Sequence, residues 1–173
     1  MTDESKAEDL FFEADNLIDD NKIKEAKEVL LDLLNEYPDY GRAHNHLGWL
    51  YSVKFNNHTK AKEHLELALK FSPDYQGVYA NYAYLLLEMN KYDELINFGK
   101  KYADKGVADA GTIYNKMAQA FELKGEYLEA HKYYKLAVKG AINNQFMEEL
   151  YASINRLKSK MNIFQKLSLI NKI

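Results

Sequence analysis

Apolar residues recur along the chain with the 3.6-residue period of an amphipathic helix, in short runs broken by polar turns. Within residues 41–75, Leu47, Leu50 and Tyr51 share one helical face. The polar stretch Asn56-Asn57-His58-Thr59 follows, after which Ala61, Leu65 and Ala68 share another face. The pattern predicts two helices joined by a turn, with Thr59 as the N-cap of the second. Further on, Lys124-Gly125-Glu126 supplies the same kind of stop, because glycine takes the left-handed conformation that ends a helix. Asn21 and Asn90 stand at the corresponding places.

These pairs repeat. Pro38-Asp39-Tyr40 returns 35 residues later as Pro73-Asp74-Tyr75. Ala26, Ala61, Leu95 and Ala130 follow one another at intervals of 35, 34 and 35 residues. Ala14, Gly48, Ala83 and Ala118 do so at 34, 35 and 35. Two helices approach to about 8–10 Å only where the side chains at the crossing are small. Ala14 is therefore expected opposite Ala26, Gly48 opposite Ala61, and Ala118 opposite Ala130. A helical hairpin of this kind leaves one face apolar, so the units must stack.

After Asn144 the pattern changes. Phe146, Met147, Leu150, Tyr151, Ile154, Leu157 and Met161 form one stripe, with Arg156, Lys158 and Lys160 off it. That is the signature of a helix capping the last apolar face. From Asn162 onward, Ile163, Phe164, Leu167, Leu169 and Ile170 continue without a clean period. They are expected to form a second packed helix or a segment that docks elsewhere.

His44-x-x-Leu47-Gly48-x-x-Tyr51, followed by Ala61, Leu65, Ala68 and Pro73, resembles the tetratricopeptide repeat, with His44 where that family usually has Trp. The resemblance implies an all-α fold: a right-handed α-solenoid of four hairpins at 7–40, 41–75, 76–110 and 111–144. A flexible N-terminus (1–6) precedes them, and a capping helix and tail (145–173) follow. The third unit departs from the pattern. It has Leu95 in place of Ala, Gly99 in place of a large residue and no closing proline, so Gly99 is expected to make room for Leu95.

Composition narrows the function. The 173 residues are 47% hydrophobic and 28% charged, with a net charge of −3 and no cysteine. Disulfides, thiolate zinc sites and cysteine nucleophiles are excluded. The near balance of charge gives no footprint for nucleic acid, although residues 1–40 hold 13 acids against 4 bases. The glycines are scattered and form no phosphate loop. The five histidines form no i, i+4 metal pair on one helix, and His44 occupies a core-type position. No enzyme, cofactor or metal is expected. The first sixteen residues are acidic, unlike a signal peptide. The longest apolar run, Tyr82 to Leu87, is too short to span a bilayer. A cytoplasmic protein without a membrane partner is the expectation.

If the first helices line a concave groove, as the resemblance implies, helical spacing selects the residues that face it. The candidates are Phe12 and Asp15 in the first unit, Asn45, His46 and Trp49 in the second, Asn81 and Tyr84 in the third, and Asn115, Lys116 and Gln119 in the fourth. The same spacing places Glu8, Phe11, Ile18, Asp19, Arg42, Ser52, Val53, Gly77, Ala80, Leu87, Glu88, Thr112, Glu122 and Leu123 on that side or at its flank. Asparagine can donate to and accept from any peptide backbone, and tryptophan is a frequent binding hot spot. The expected function is a non-catalytic protein–protein interaction module holding a peptide or helix of a partner protein. Two alternatives are an assembly or secretion chaperone, and a self-associating structural module whose groove its own tail covers. Relatives that clamp chaperone carboxylate tails carry basic residues and asparagines where this chain has Phe11, Asp15 and Asn81, so that sub-function is not implied.

Overall fold

A computed structural model describes residues 3–141 and 143–170, and among these residues ten α-helices and no strand occur. They are α1 (Asp3–Asp19), α2 (Ile23–Glu36), α3 (Gly41–Val53), α4 (His58–Phe71), α5 (Gln76–Glu88), α6 (Tyr92–Tyr102), α7 (Ala110–Leu123), α8 (Tyr127–Lys139), α9 (Asn144–Lys160) and α10 (Ile163–Ile170). Residues 3–6, expected in the flexible N-terminus, belong to α1. The chain forms two compact units, and the boundary falls within α5, after Leu85.

The turns follow from backbone conformation. Asn21, Asn56, Asn90 and Gly125 all adopt left-handed φ, at 59°, 48°, 56° and 78°, and each ends a first helix. In the second hairpin the cap differs from the expected one. Asn57, not Thr59, accepts the Lys60 N–H at 3.1 Å, so α4 starts two residues earlier in the polar stretch. The left-handed Asn56 places the amide of Asn57 where it can cap.

In the first unit α1 packs on α2, α2 on α3 and α3 on α4. Ala7, Phe11, Ala14, Leu30, Leu33, Ala43, Leu47 and Leu50 form its buried core, each large side chain stabilising by about 1.5–3 kcal/mol. The crossing of α3 and α4 is closed by Gly48. A methyl group there would meet Leu65 Cγ at 2.5 Å and the Ala61 carbonyl oxygen at 3.3 Å.

The fourth position of the second, third and fourth repeats carries a ring with a polar tip, where the first has Leu10, and the partner of each ring explains why. His44 Nε2 lies 3.0 Å from the Pro38 carbonyl oxygen, which can only accept. One repeat later the Tyr79 hydroxyl donates to the Pro73 carbonyl at 2.7 Å. The side chain thus ties the incoming turn to the first helix. In the fourth repeat, whose preceding loop lacks proline, the Tyr114 hydroxyl donates to Asp104 instead.

In the second unit α6 packs on α7, α7 on α8 and α8 on α9. Gly99 serves a different neighbour from the one expected. A methyl group there would strike Met117 Sδ at 2.2 Å and approach Ile113 at 3.2 Å. Its absence lets α7 approach α6, and Leu95 is not among the nearest atoms. Gly111 and Gly140 close the α7–α8 end, with a Gly111 methyl falling 2.7 Å from the Gly140 carbonyl oxygen. The capping stripe on α9 buries Leu150, Ile154 and Leu157, with Met161 just beyond it, while Tyr151 stays exposed.

Candidate functional site

In the first unit, α1, α3 and α5 bring together a cleft of about 340 Å³ lined by Ile18, Asn45, His46, Trp49, Tyr75, Gly77, Ala80 and Asn81. Four of the ten expected site residues meet here: Asn45, His46, Trp49 and Asn81. Trp49 is half-buried on α3, with the Lys54 ammonium 5.7 Å from its ring centre. Asn81 Nδ2 donates to Asn45 Oδ1 at 2.9 Å. Asn45 is only 3% exposed, so it holds Asn81 in place. Half-buried Asn81 keeps a carbonyl and a second N–H that no other group among the described residues engages.

His46 is fixed from two sides. Its Nδ1 lies 3.1 Å from the Arg42 carbonyl oxygen and its Nε2 lies 3.0 Å from Asp15 Oδ1. The ring stands edge-on to Phe11, with centroids 4.7 Å apart. Asp15 therefore reaches the cleft through His46. Phe11 corrects the sequence assignment: it is 2% exposed and belongs to the core. Arg42 covers its ring at 4.1 Å and pairs with Glu8 at 3.0 Å. Phe12 and Tyr84 are exposed and do not line the cleft. Tyr75 was not among the residues selected by spacing. Its ring rests 3.3 Å from where a Gly77 Cβ would stand, and its place in the recurring Pro-Asp-Tyr was the available signal.

In the second unit, Asn115, Lys116 and Gln119 lie on α7. Gln119 Nε2 donates to Asn115 Oδ1 at 3.1 Å. Burial pushes the Lys116 ammonium below its usual range, against the pull of the Glu88 carboxylate. Glu122, also placed on the groove side by spacing, is buried at 8% exposure. It accepts from Tyr134 at 2.7 Å, Arg156 at 2.9 Å and Lys160 at 2.8 Å. Burial raises its pKa, but the bonds from Arg156, Lys160 and Tyr134 outweigh that and hold it at about 2. It clamps the capping helix.

Among the described residues, no group of three or more His, Asp or Glu side chains is arranged to hold a metal ion. None of their helices is long and apolar enough to cross a membrane.

The hairpins, their caps and their small-residue crossings define an all-α repeat protein of the tetratricopeptide kind. The tetratricopeptide repeat family matches residues 41–75, so the chain carries that repeat there. No curated protein matches the sequence. Among solved structures, PilF of Pseudomonas aeruginosa is similar at a TM-score of 0.74 and 14% identity, over 91% of this chain and 74% of that one. PilW, described as a widely conserved type IV pilus biogenesis factor, is similar at 0.71 and 15%, over 92% and 80%. MamA is similar at 0.69 and 22%, over 80% and 74%. At these identities the likeness shows the fold, and a tetratricopeptide fold points to a protein–protein interaction module.

Proposed function

We propose that the protein is a non-catalytic adaptor that holds an extended segment of a partner protein in the first-unit cleft. The observation that carries this reading is the convergence of Trp49 and Asn81 on one half-open wall. A flat aromatic surface there stands beside an amide able to pair with peptide backbone. Asn45 and the Asp15–His46 pair act as supports, fixing the side chains that meet the peptide. Exposed Phe12 and Tyr84 extend the first-unit contact. The description of PilW as a pilus biogenesis factor is compatible with a role in assembling other proteins. The chaperone and self-assembly alternatives predict different consequences: loss of the partner when the protein is absent, and concentration-dependent scattering, respectively.

The test is selection of linear peptides from a displayed library on the full chain, followed by titration against Trp49→Ala and Asn81→Ala. The adaptor reading expects peptides that lose about thirtyfold in affinity with Trp49→Ala, the scale of a hot-spot truncation of about 2 kcal/mol. Peptides that bind both variants as well as the parent chain would place the site elsewhere.

A further inference from the structure

Helix α10 is amphipathic in the reverse sense from the other helices. Its buried-side residues are Gln165, Ser168 and Leu169, whereas Ile163, Phe164, Leu167 and Ile170 are 68%, 79%, 51% and 64% exposed. The helix sits beside α8 and α9, where Leu169 and Ile170 help line a cleft of about 670 Å³. That cleft has Val138, Tyr151 and Ile154 in its walls and Lys135, Lys139, Lys158 and Lys166 around them. Among the described residues none of these four ammonium groups is paired with a carboxylate. From Leu150 to Ile173 the sequence contains no acid and five bases. The local field is visible in His131, which is held below its usual range by burial and then by the charges of Lys158 and Lys135.

We propose that the α8–α9–α10 face of the second unit docks on an anionic lipid surface, with Phe164, Ile163, Leu167 and Ile170 inserted among the acyl chains and the lysines against the headgroups. A convex apolar ridge flanked by cations fits the plane of a bilayer interface. A second copy applied face to face would set lysine against lysine. An acidic partner helix seated in the cleft would leave Ile163, Phe164 and Leu167, which do not line it, in water. The sequence expectation of no membrane contact rested on the absence of a spanning segment, which an interfacial helix does not require. The inference is independent of the first-unit cleft.

The test is co-sedimentation of the full chain with vesicles of phosphatidylglycerol and phosphatidylcholine in equal parts, and with phosphatidylcholine alone. Binding is expected to the anionic vesicles only and to weaken as salt is raised. Phe164→Ser with Leu167→Ser should reduce it about tenfold or more while leaving the circular dichroism unchanged, since both side chains are exposed. Lys158→Gln with Lys166→Gln should also weaken it. Absence of sedimentation, equal sedimentation of the Phe164→Ser, Leu167→Ser variant, or self-association in light scattering that this variant abolishes would overturn the proposal.

Discussion

Ser52 in α3 and Glu122 in α7 occupy the same position of the repeat, and the two hairpins use it in opposite ways. Both are nearly buried, at 9% and 8% exposure. Among the described residues the Ser52 hydroxyl finds no hydrogen-bond partner, whereas Glu122 gathers a tyrosine, an arginine and a lysine. A small side chain suffices inside the array. At its end, where α9 must be held, the position carries a charge whose partners come from the capping helix. Repeats therefore share geometry while their polar chemistry is set by what each must hold.

The largest effect should come from cutting that clamp. Glu122→Ala is expected to cost about 2–3 kcal/mol, below the full cost of stranding a buried charge because Arg156 and Lys160 can turn to water. Urea denaturation measures it, and a loss no larger than that of Ser52→Ala would erase the contrast.

Next comes Gly111→Ala, at about 2 kcal/mol, because its methyl group would meet the backbone of Gly140. Gly99→Ala should cost about 1 kcal/mol, since the atoms it meets belong to the flexible Met117 side chain. Equal midpoint shifts for the two would show that backbone and side-chain crowding are not distinguished here.

Acid should also separate the hairpins. His44 and His64 touch through their Nδ1 atoms at 2.9 Å, and with His44 donating to Pro38 the neutral pair is satisfied when His64 donates to His44. Burial lowers both, His64 to about 4, with the charge of Lys60 and the neighbouring His44 adding to the effect on His64. The unfolded chain protonates these rings near pH 6.5 while the folded chain does not. The stability from the pair is complete above that pH and is lost as pH falls toward about 4. After allowance for partial exposure the loss is about 1–2 kcal/mol, and His64→Leu should flatten it in thermal melts. Glu122, depressed to about 2, keeps its contribution until pH falls to its unfolded value near 4.5 and loses it below that, toward about 2. The smallest effect belongs to Ser52→Ala, neutral or stabilising by about 0.5 kcal/mol, because it removes an unpartnered hydroxyl.

The hairpins were legible in the sequence because small residues, turn asparagines and apolar period repeat together. The role of His44 was legible as burial, though its bond to Pro38 needed coordinates. Three features were hidden for physical reasons. Phe11 lies at the flank of its helix, where 100° spacing cannot say whether the neighbouring helix reaches it; Arg42, Tyr40 and His46 do. Glu122 finds Arg156 and Lys160 34 and 38 residues away, beyond any local rule. Asn45 and Asn81 were selected as equals, yet their mutual bond makes one the support of the other.

The most direct measurement of the central claim uses Trp49, the single tryptophan. Its emission and acrylamide quenching should be recorded in the full chain alone and with a peptide selected on it. The cleft account predicts quenchable emission in the free protein that shifts to the blue and becomes protected when the peptide binds. Emission already blue and protected in the free protein, or unchanged at saturation, would contradict it.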